Sequence, residues 1–501
     1  MPDAVVIGSG PNGLSAAAIL QRAGWSVEVY EANARPGGAC RSAPLTLPGF
    51  VHDEGAAFFP FGPVSPAFRE LDLEGAGLVF RHALYDSAHP APDGSSAAIS
   101  RDLQRSVDAF GPDGEAWRSI ALWFRENQET VLRVMVGGLP PRPADVAALG
   151  FDGLMTLASV ALASGRGFAE ARFGTEAARR VIPGLALHTD VGPDDPCGAM
   201  VGFMLAVMAS SAGFPVAEGG AGAVTGALQR RLEAAGGTVT TGRRVERVVV
   251  SEGRAVAVRL AGGDEVRATR AVLADVGAPA LYGQLLEGTT LPGTLTRRMS
   301  RFRWGFGTFK VDWALAGPVP WLAEQARQSA VVHAGDGLND LARFTAEVRA
   351  GRLPNNPYMV IGQPTLADPT RAPAGRHTLY AYSRVPSRAP RGWAAEREGF
   401  ADRLEARVER LAPGFRALVL GRSIQSPDDL ERENENLVGG DLGGGTAAFT
   451  NQLFFRPAFP HFGAKTPVRG LYLASSYTHP GPGVHGMCGL HAARAAIADA
   501  G

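Results

Sequence analysis

Cysteine is scarce in this chain: Cys40, Cys197 and Cys488 are the only three among 501 residues, and they lie far apart. Three widely separated cysteines exclude a disulfide framework and a CxxC metal site, and they favour a reducing, cytoplasmic compartment. Excess charge of one sign is absent too, because 49 lysines and arginines balance 49 aspartates and glutamates. Without a basic field, nucleic acid is not an expected partner.

Long apolar runs are rare as well. The first residues enter a strand directly, so we expect no secretory signal. Residues 197–216 are uncharged and about long enough to span a bilayer, but their content of Gly, Ala, Ser and Met, together with Pro215, favours a buried helix. At about 100–200 residues per domain, the length of the chain predicts two or three units, or one large fold with an inserted one.

The first motif that is present combines a strand, a glycine turn, a helix and a second strand that ends in Glu31. In a dinucleotide site Gly8 permits the tight turn, Gly10 lets the pyrophosphate approach the backbone, and Gly13 lets the helix pack on the strand. The helix N-terminus would hold the phosphates, and Glu31 would accept hydrogen bonds from the adenosine ribose. The residues assigned to the turn contact are Gly8, Gly10, Pro11, Asn12 and Gly13.

Flavin and nicotinamide dinucleotides share this fingerprint, so the residues that follow must discriminate between them. A second glycine pair, Gly37 and Gly38, stands just before Arg41, and residues 49–56 read GFVHDEGA. Here the chain resembles the phytoene-desaturase-related branch of the flavin amine oxidase superfamily, whose members carry this glycine pair and a GFxxDxGA-like element. The resemblance implies non-covalent FAD, with the glycine pair close to the diphosphate and the flavin. The cofactor contacts added here are Ala32, Gly37, Gly38 and Arg41.

The rest of the chain changes character twice. Residues 68–214 have a mainly helical pattern, short strands return in 215–290, and residues 291–434 mix strand-like runs with a charged helix. We predict an α/β protein in which a discontinuous Rossmann-type FAD-binding domain is interleaved with an α+β substrate domain. The first would take residues 1–67, 215–290 and 435–501, and the second residues 68–214 and 291–434. The resemblance also implies that the backbone of Val245 contacts the adenine.

Residues 436–497 carry the most specific signal and resemble the closing motif of phytoene-dehydrogenase-related oxidoreductases. A buried strand is predicted over 471–474, a sharp Gly-Pro turn follows, and a helix is predicted over 484–500. The N-terminus of that helix would offer free N–H groups and a positive dipole end to a reduced flavin. The chain has two serines where the family usually has a glycine and a small residue. The contacts assigned here are Ser475, Ser476, Gly483, Val484, His485 and Met487.

Histidines flank the same turn. His479 and His485 are the candidate catalytic residues, which would orient the substrate or a proton-bearing water, or only hydrogen-bond the turn. They and His491 are spaced by six residues, about 600° along a helix, so successive side chains lie on different faces and no metal site is expected. For Cys488 an inert buried thiol is favoured over covalent flavin attachment. Leu45 stands where a disulfide reductase would need its second cysteine.

The resemblance implies an FAD-dependent oxidoreductase that acts on an apolar isoprenoid, carotenoid or lipid-like molecule. We expect carbon–carbon desaturation by hydride transfer to flavin N5. A flavin-dependent isomerase or saturase of a polyene, an amine oxidase, and a non-catalytic lipid escort protein remain alternatives. The uncharged residues 197–214 would line a dry channel between the two parts of the substrate domain. Peripheral membrane contact is a further expectation.

Overall fold

The computed structural model describes residues 1–501. Helices prevail in residues 103–211, and short strands prevail in residues 238–274. The strands are β1 (Ala4–Ile7), β2 (Val27–Tyr30), β3 (Ser42–Ala43), β4 (His52–Asp53), β5 (Phe80–Arg81), β6 (Tyr85–Pro90), β7 (Ser96–Ile99), β8 (Val216–Ala217), β9 (Thr238–Thr240), β10 (Val245–Ser251), β11 (Arg254–Leu260), β12 (Glu265–Arg267), β13 (Ala271–Ala274), β14 (Gly307–Leu315), β15 (Ser329–Ala334), β16 (Met359–Gly362), β17 (His377–Val385), β18 (Val419–Gln425) and β19 (Leu471–Leu473).

The α-helices vary from single turns to the 23 residues of the longest, α4. They are α1 (Pro11–Arg22), α2 (Pro66–Glu70), α3 (Leu103–Phe110), α4 (Gly114–Val136), α5 (Pro143–Ala148), α6 (Gly150–Leu162), α7 (Gly165–Arg172), α8 (Glu176–Arg179), α9 (Val181–Ala186), α10 (Ala199–Ser211), α11 (Gly222–Ala234), α12 (Ala278–Ala280), α13 (Gly293–Ser300), α14 (Leu338–Arg349), α15 (Trp393–Leu411), α16 (Pro427–Glu433) and α17 (Met487–Ala500).

The glycine turn follows the carboxyl end of β1 in a five-stranded parallel sheet of order β19-β13-β1-β2-β9. β1 is central, and its Ala4 pairs with Ala271 of β13 and with Val27 of β2. All residues of β1 and β13 are buried, as expected for short parallel strands that are covered on both faces. α1, α11 and α17 pack on one face, whereas β10, β11 and residues 278–299 pack on the other. The sheet confirms the predicted α/β class and the Rossmann-type architecture.

The substrate domain is built on a seven-stranded mixed sheet of order β18-β14-β17-β16-β15-β6-β7. Neighbouring strands are antiparallel, except that β15 and β6 are parallel. Side chains alternate across β17 because successive residues of a strand point to opposite faces. One set packs in an apolar core with α15, and the other set lines a cavity between the two sheets.

The uncharged segment at 197–216 contains the mostly buried helix α10, as expected. α10 packs in an apolar cluster with residues of α4, α6, α7 and α9. Neighbouring helices, rather than lipid, therefore cover its apolar surface. Across the whole chain, no helix combines the length and the hydropathy that crossing a bilayer requires.

Three regions show detail beyond the prediction or differ from it. Residues 68–214 are mainly helical, as predicted, but β6 and β7 form a hairpin there that joins the substrate sheet by pairing with the distant β15. Among the short strands expected in 215–290, β12 and β13 belong to different sheets. The last helix begins at Met487 rather than at residue 484, because Gly486 has a left-handed φ of 66°.

Candidate active site

A cavity of about 1440 Å³ extends between the two sheets. The glycine turn and residues 30–33 line one end of it, and β17, α6 and α10 line the other. Pockets for a single small ligand are typically about 300–1000 Å³. The cavity therefore has room for a dinucleotide and a second molecule.

Most of the predicted cofactor residues line this cavity. They are Gly8, Gly10, Pro11, Asn12, Glu31, Ala32, Gly38, Val245, Ser475, Ser476, Gly483 and Val484, and His479 joins them. The remaining predicted residues lie outside the lining. These are Gly13, Gly37, Arg41, His485 and Met487.

The glycine turn fits tightly against the end of β13. Gly8 has a φ of 90°, and a Cβ on Gly10 would lie 2.5 Å from Asp275 Oδ2. The N–H of Gly13 donates to the same oxygen at 2.9 Å. Burial raises the pKa of Asp275 to about 7, and the Glu31 carboxylate contributes in the same direction. A protonatable acid thus sits directly under the turn.

Glu31 follows β2, and its carboxylate is held beside the turn. One of its oxygens accepts hydrogen bonds from the N–H and the hydroxyl of Ser9, at 2.9 and 2.6 Å. The other accepts from the N–H of Asn33 at 2.8 Å. A carboxylate has about four acceptor positions, so about one remains for a ribose hydroxyl.

The second glycine pair packs against the first turn. A Cβ on Gly38 would lie 3.3 Å from Gly10 Cα, so two bare backbones face each other across the passage. Gly37 has a φ of 117°, a conformation that favours glycine, and it lies outside the cavity lining. Arg41 does not reach the cavity, because its guanidinium pairs with Glu54 at 2.8 Å. Its place in the structure is to stabilise the loop that carries the glycine pair.

The turn after β19 forms a further part of the wall. The hydroxyl of Ser475 donates to the carbonyl of Val276 at 2.7 Å, and Arg456 Nε donates to the carbonyl of Ser476 at 3.0 Å. These bonds attach the turn to the loop after β13 and to the loop before β19. Gly483 has a φ of 134°, which brings its backbone to the cavity without strain.

The N–H groups at Val484 and His485 do not form the helix N-terminus, because α17 begins at Met487. The N–H of Met487 donates to His485 Nδ1 at 3.0 Å, so the imidazole caps the helix. Burial lowers the pKa of His485 to about 4, which keeps the ring neutral and able to accept this bond. The ring lies behind the cavity wall with its edge toward Phe61.

His479 occupies a different environment. It lines the cavity, and its Nε2 is buried without a hydrogen-bond partner in the chain. Its ring is parallel to that of His491, with 6.5 Å between the ring centroids. Burial lowers the pKa of His479 to about 4, so the imidazole is neutral near pH 7. The structure therefore separates the two candidate histidines, since only His479 can meet a ligand.

Cys488 is fully buried, and its thiol faces the carbonyls of Thr478 and Gly481, each at 3.7 Å. Burial raises its pKa to about 11. The thiol is not among the residues that line the cavity. This placement agrees with an inert cysteine.

A polar cluster at the substrate end of the cavity is absent from the predicted set. His188, Asp190, Tyr382 and Arg384 all line it. The Tyr382 hydroxyl is 3.1 Å from His188 Nδ1, and His188 Nε2 is 2.7 Å from His333 Nε2. Burial lowers the pKa of His188 to about 3. No local pattern indicates the cluster, because Tyr382 and His188 are 194 residues apart.

Asp275 is also absent from the predicted set, although the sequence contains a signal for it. It directly follows a buried strand, a position at which α/β sheets bind ligands.

The parallel sheet, its glycine turn and the adjoining cavity define a dinucleotide-binding protein of the Rossmann type. Residues 12–497 match the family described as flavin containing amine oxidoreductase, and the chain belongs to this family. It is 30% identical to the pyridine nucleotide-disulfide oxidoreductase domain-containing protein 2 of Rattus norvegicus, over 99% of this chain and 93% of that one. It is 27% identical to a phytoene desaturase (lycopene-forming) of Paracoccus sp., over 99% and 96% of the two chains. The crystal structure of an oxidoreductase from Methanosarcina mazei has a TM-score of 0.66 at 18% identity and covers 99% of each chain.

The structure fits the FAD that this family uses. A Cβ on Gly38 would enter the passage between the two glycine turns, and one on Gly10 would displace the turn from Asp275. Bare backbone at both positions therefore leaves room for a diphosphate. The passage opens into a cavity that is large enough for the remainder of the cofactor. The protein is an FAD-dependent oxidoreductase, and the predictions of the cofactor and of the enzyme class are confirmed.

Proposed function

We propose that this enzyme introduces a carbon–carbon double bond into an apolar substrate. When bound, FAD supplies a ring that accepts a hydride from a C–H bond. In this proposal Gly10 and Gly38 contact the diphosphate, Glu31 contacts the adenosine ribose, and the backbone of Val245 contacts the adenine. The similarity to a phytoene desaturase supports an apolar substrate class.

The observation that carries this proposal is the cavity wall formed by α6 and α10. The two helices contribute Leu154, Leu157, Ala158, Ala161, Met200, Val201, Met204 and Leu205, and no charged side chain. An apolar wall of this kind excludes water and favours burial of an alkyl or polyene chain. An amine substrate would gain little from it, because a cation is costly to desolvate without a partner.

His479 is the side chain that we propose to act on the substrate. Its Nε2 is buried, unpartnered in the chain and part of a residue that lines the cavity. We propose that it accepts a hydrogen bond from a water that takes up the proton released as the double bond forms. His485 has a positioning role, since it holds Met487 at the start of α17.

The direct test is anaerobic bleaching of the flavin absorbance by candidate hydrocarbons, beginning with any apolar compound that copurifies. Met204→Arg places a charge in the channel, and Met204→Trp fills the channel without charge. Both variants should keep bound FAD and lose substrate-dependent bleaching. Leu420→Arg is the control, because Leu420 is 46% exposed on β18 and does not line the cavity. Wild-type bleaching rates in a folded Met204→Trp variant would remove α10 from the channel.

Related assays of flavin and product distinguish the alternative functions. An isomerase would convert a polyene without net bleaching, and a saturase would oxidise a chemically reduced flavin. An amine oxidase would produce peroxide from amines in air. A lipid escort protein would bind an apolar ligand without any change of the flavin.

We also propose that the cavity opens toward a membrane surface. One side of α6 carries four exposed apolar side chains, those of Phe151, Leu154, Met155 and Leu162. Phe151 and Leu162 are each 77% exposed. Leu154 also lines the cavity, as does the exposed Phe449. Exposed apolar side chains therefore surround an opening through which a lipid-soluble substrate could pass. A reducing, cytoplasmic compartment stays a prediction.

Flotation with phosphatidylcholine vesicles tests this surface. The wild-type protein should float with the vesicles, and the double variant Phe151→Glu, Leu162→Glu should remain at the bottom of the gradient. Leu420→Glu is the control, because Leu420 is 46% exposed on β18 of the substrate sheet, outside the cavity lining. Equal flotation of all three proteins would contradict the proposal.

A further inference from the structure

Arg384 is a buried arginine in the substrate end of the cavity. It lies on β17, on the same side of the strand as Tyr382, and both residues line the cavity. Only 4% of Arg384 is exposed. Its guanidinium carbon lies 5.2 Å from the centre of the Tyr382 ring, which shields one face of the cation.

This arginine lacks the set of partners that buried arginines have elsewhere in the protein. Arg371 pairs with Asp53 at 2.7 Å, and Arg407 pairs with Asp336. Arg180 and Arg456 form no ion pair, but each donates to several backbone carbonyls. Arg384 has no carboxylate within 4 Å. Its Nη1 donates to Thr308 Oγ1 at 2.6 Å, and its Nε has no acceptor. Burying a cation without an anion or a full set of hydrogen bonds costs several kcal/mol in general, so native buried charges are normally paired.

Asp190, the acid of the polar cluster at this end of the cavity, does not compensate this charge. Asp190 accepts hydrogen bonds from the Thr446 hydroxyl and from the N–H of Ala447, and it forms no ion pair with Arg384. Burial raises the pKa of Asp190. Arg384 therefore remains a positive site that faces space left for a ligand.

Tyr382 can add a second donor at the same place. Its hydroxyl bonds to the neutral His188, and when His188 carries its proton on Nδ1 the tyrosine hydroxyl is free to donate to a ligand. A guanidinium and a hydroxyl side by side match the two oxygens of a carboxylate. Beyond them the lining becomes apolar, with Phe306, Val331 and Val360.

We propose that Arg384 and Tyr382 bind the carboxylate of an otherwise apolar substrate, such as a long-chain or isoprenoid acid. The inference rests on the proposed function for its apolar channel and adds a polar end group to the substrate. A pure hydrocarbon would leave the cation of Arg384 desolvated and unpaired. A carboxylate fills that need and fixes the position of the chain along the channel.

The test measures binding to the FAD-loaded protein without turnover. Dodecanoate and dodecan-1-ol share one chain and differ in the end group, and each is titrated while the flavin absorbance or the heat of binding is followed. Wild-type protein should bind dodecanoate at least about 10-fold more tightly than the alcohol. Arg384→Met should weaken dodecanoate binding about 10- to 100-fold, the range for a lost hydrogen bond to a charged group, and leave the alcohol unchanged.

Two further variants keep the test decisive. Arg384→Lys retains the charge without the planar guanidinium, and it should keep part of the preference for the acid. This variant still tests the site if Arg384→Met does not fold. Arg388→Met removes an exposed arginine four residues away, which forms no ion pair, and should bind both compounds like the wild type.

Each other outcome overturns a definite part of the argument. Equal binding of acid and alcohol to the wild type, or an unchanged preference in Arg384→Met, overturns the carboxylate site and leaves the apolar channel intact. Loss of FAD from a folded Arg384→Met protein would make Arg384 a cofactor ligand instead. Failure of both compounds to bind would contradict the apolar channel itself.

Discussion

Asp275 makes FAD binding dependent on pH in a way that the structure predicts quantitatively. Its carboxyl group lies under the glycine turn and is fully buried, and its pKa of about 7 replaces the ordinary value of 3.8. Ionising it in the folded protein therefore costs on the order of 4 kcal/mol. The sign follows from the raised pKa: the folded state holds a proton that the unfolded state releases, so stability is lost as pH rises from about 4 to 7.

A bound diphosphate would raise the pKa of Asp275 further, because its negative charge opposes a second negative charge nearby. Binding of FAD above pH 7 must then take up a proton. We expect the dissociation constant of FAD to rise up to about tenfold per pH unit between the two pKa values. Below pH 7 the dissociation constant should be nearly independent of pH.

Asp275→Asn keeps the shape of the side chain and the acceptor for the Gly13 N–H, but it cannot ionise. Apoprotein should be titrated with FAD by flavin fluorescence between pH 6 and 9. The variant should show a flat profile and tighter binding than the wild type above pH 7. Asp402→Asn, an exposed change on α15, serves as the control. Parallel profiles for the wild type and Asp275→Asn would refute the assignment.

Three further predictions concern packing, the two histidines and acid stability. Gly489→Ala should cost about 1–3 kcal/mol and lower the melting temperature, because its Cβ would overlap the carbonyl oxygen of Asn12 in α1. Gly399→Ala, with open space around it, should be neutral or stabilising. His479→Ala should slow substrate-dependent flavin reduction in stopped-flow experiments at an unchanged melting temperature, whereas His485→Ala should lose about 1 kcal/mol of stability with its helix cap. The depressed pKa of His188, about 3, means that the unfolded chain binds a proton first as pH falls below 6.5, so the contribution of His188 to stability should fall by about 2 kcal/mol between pH 7 and 5, opposite in sign to that of Asp275. In denaturant unfolding, the free energy of the wild type relative to His188→Gln should fall by this amount, and an unchanged difference would contradict the buried neutral ring.

Local sequence sufficed for the cofactor half of this protein. The turn from Gly8 to Gly13 has requirements that neighbouring residues satisfy: positive φ, absence of a Cβ, and a helix that starts at once. Glu31 follows at the end of the next strand, and its distance along the chain already places it beside the turn. The α/β class, the family and FAD follow from such short-range patterns because the βαβ unit is built within about 30 residues.

Tertiary structure alone decided the rest. Asp275 reaches the turn because β13 pairs with β1 across more than half the chain, and Gly486 moves the start of α17 so that His485 becomes a cap. In the sequence, nothing distinguishes Arg384 from the other arginines on strands. Its isolation in the cavity depends on which face of β17 is buried, and on neighbouring elements that bring Thr308 rather than a carboxylate within reach of its guanidinium. Whether a side chain is buried or lacks a partner depends on contacts with residues distant in the sequence, so no local pattern of residues predicts it.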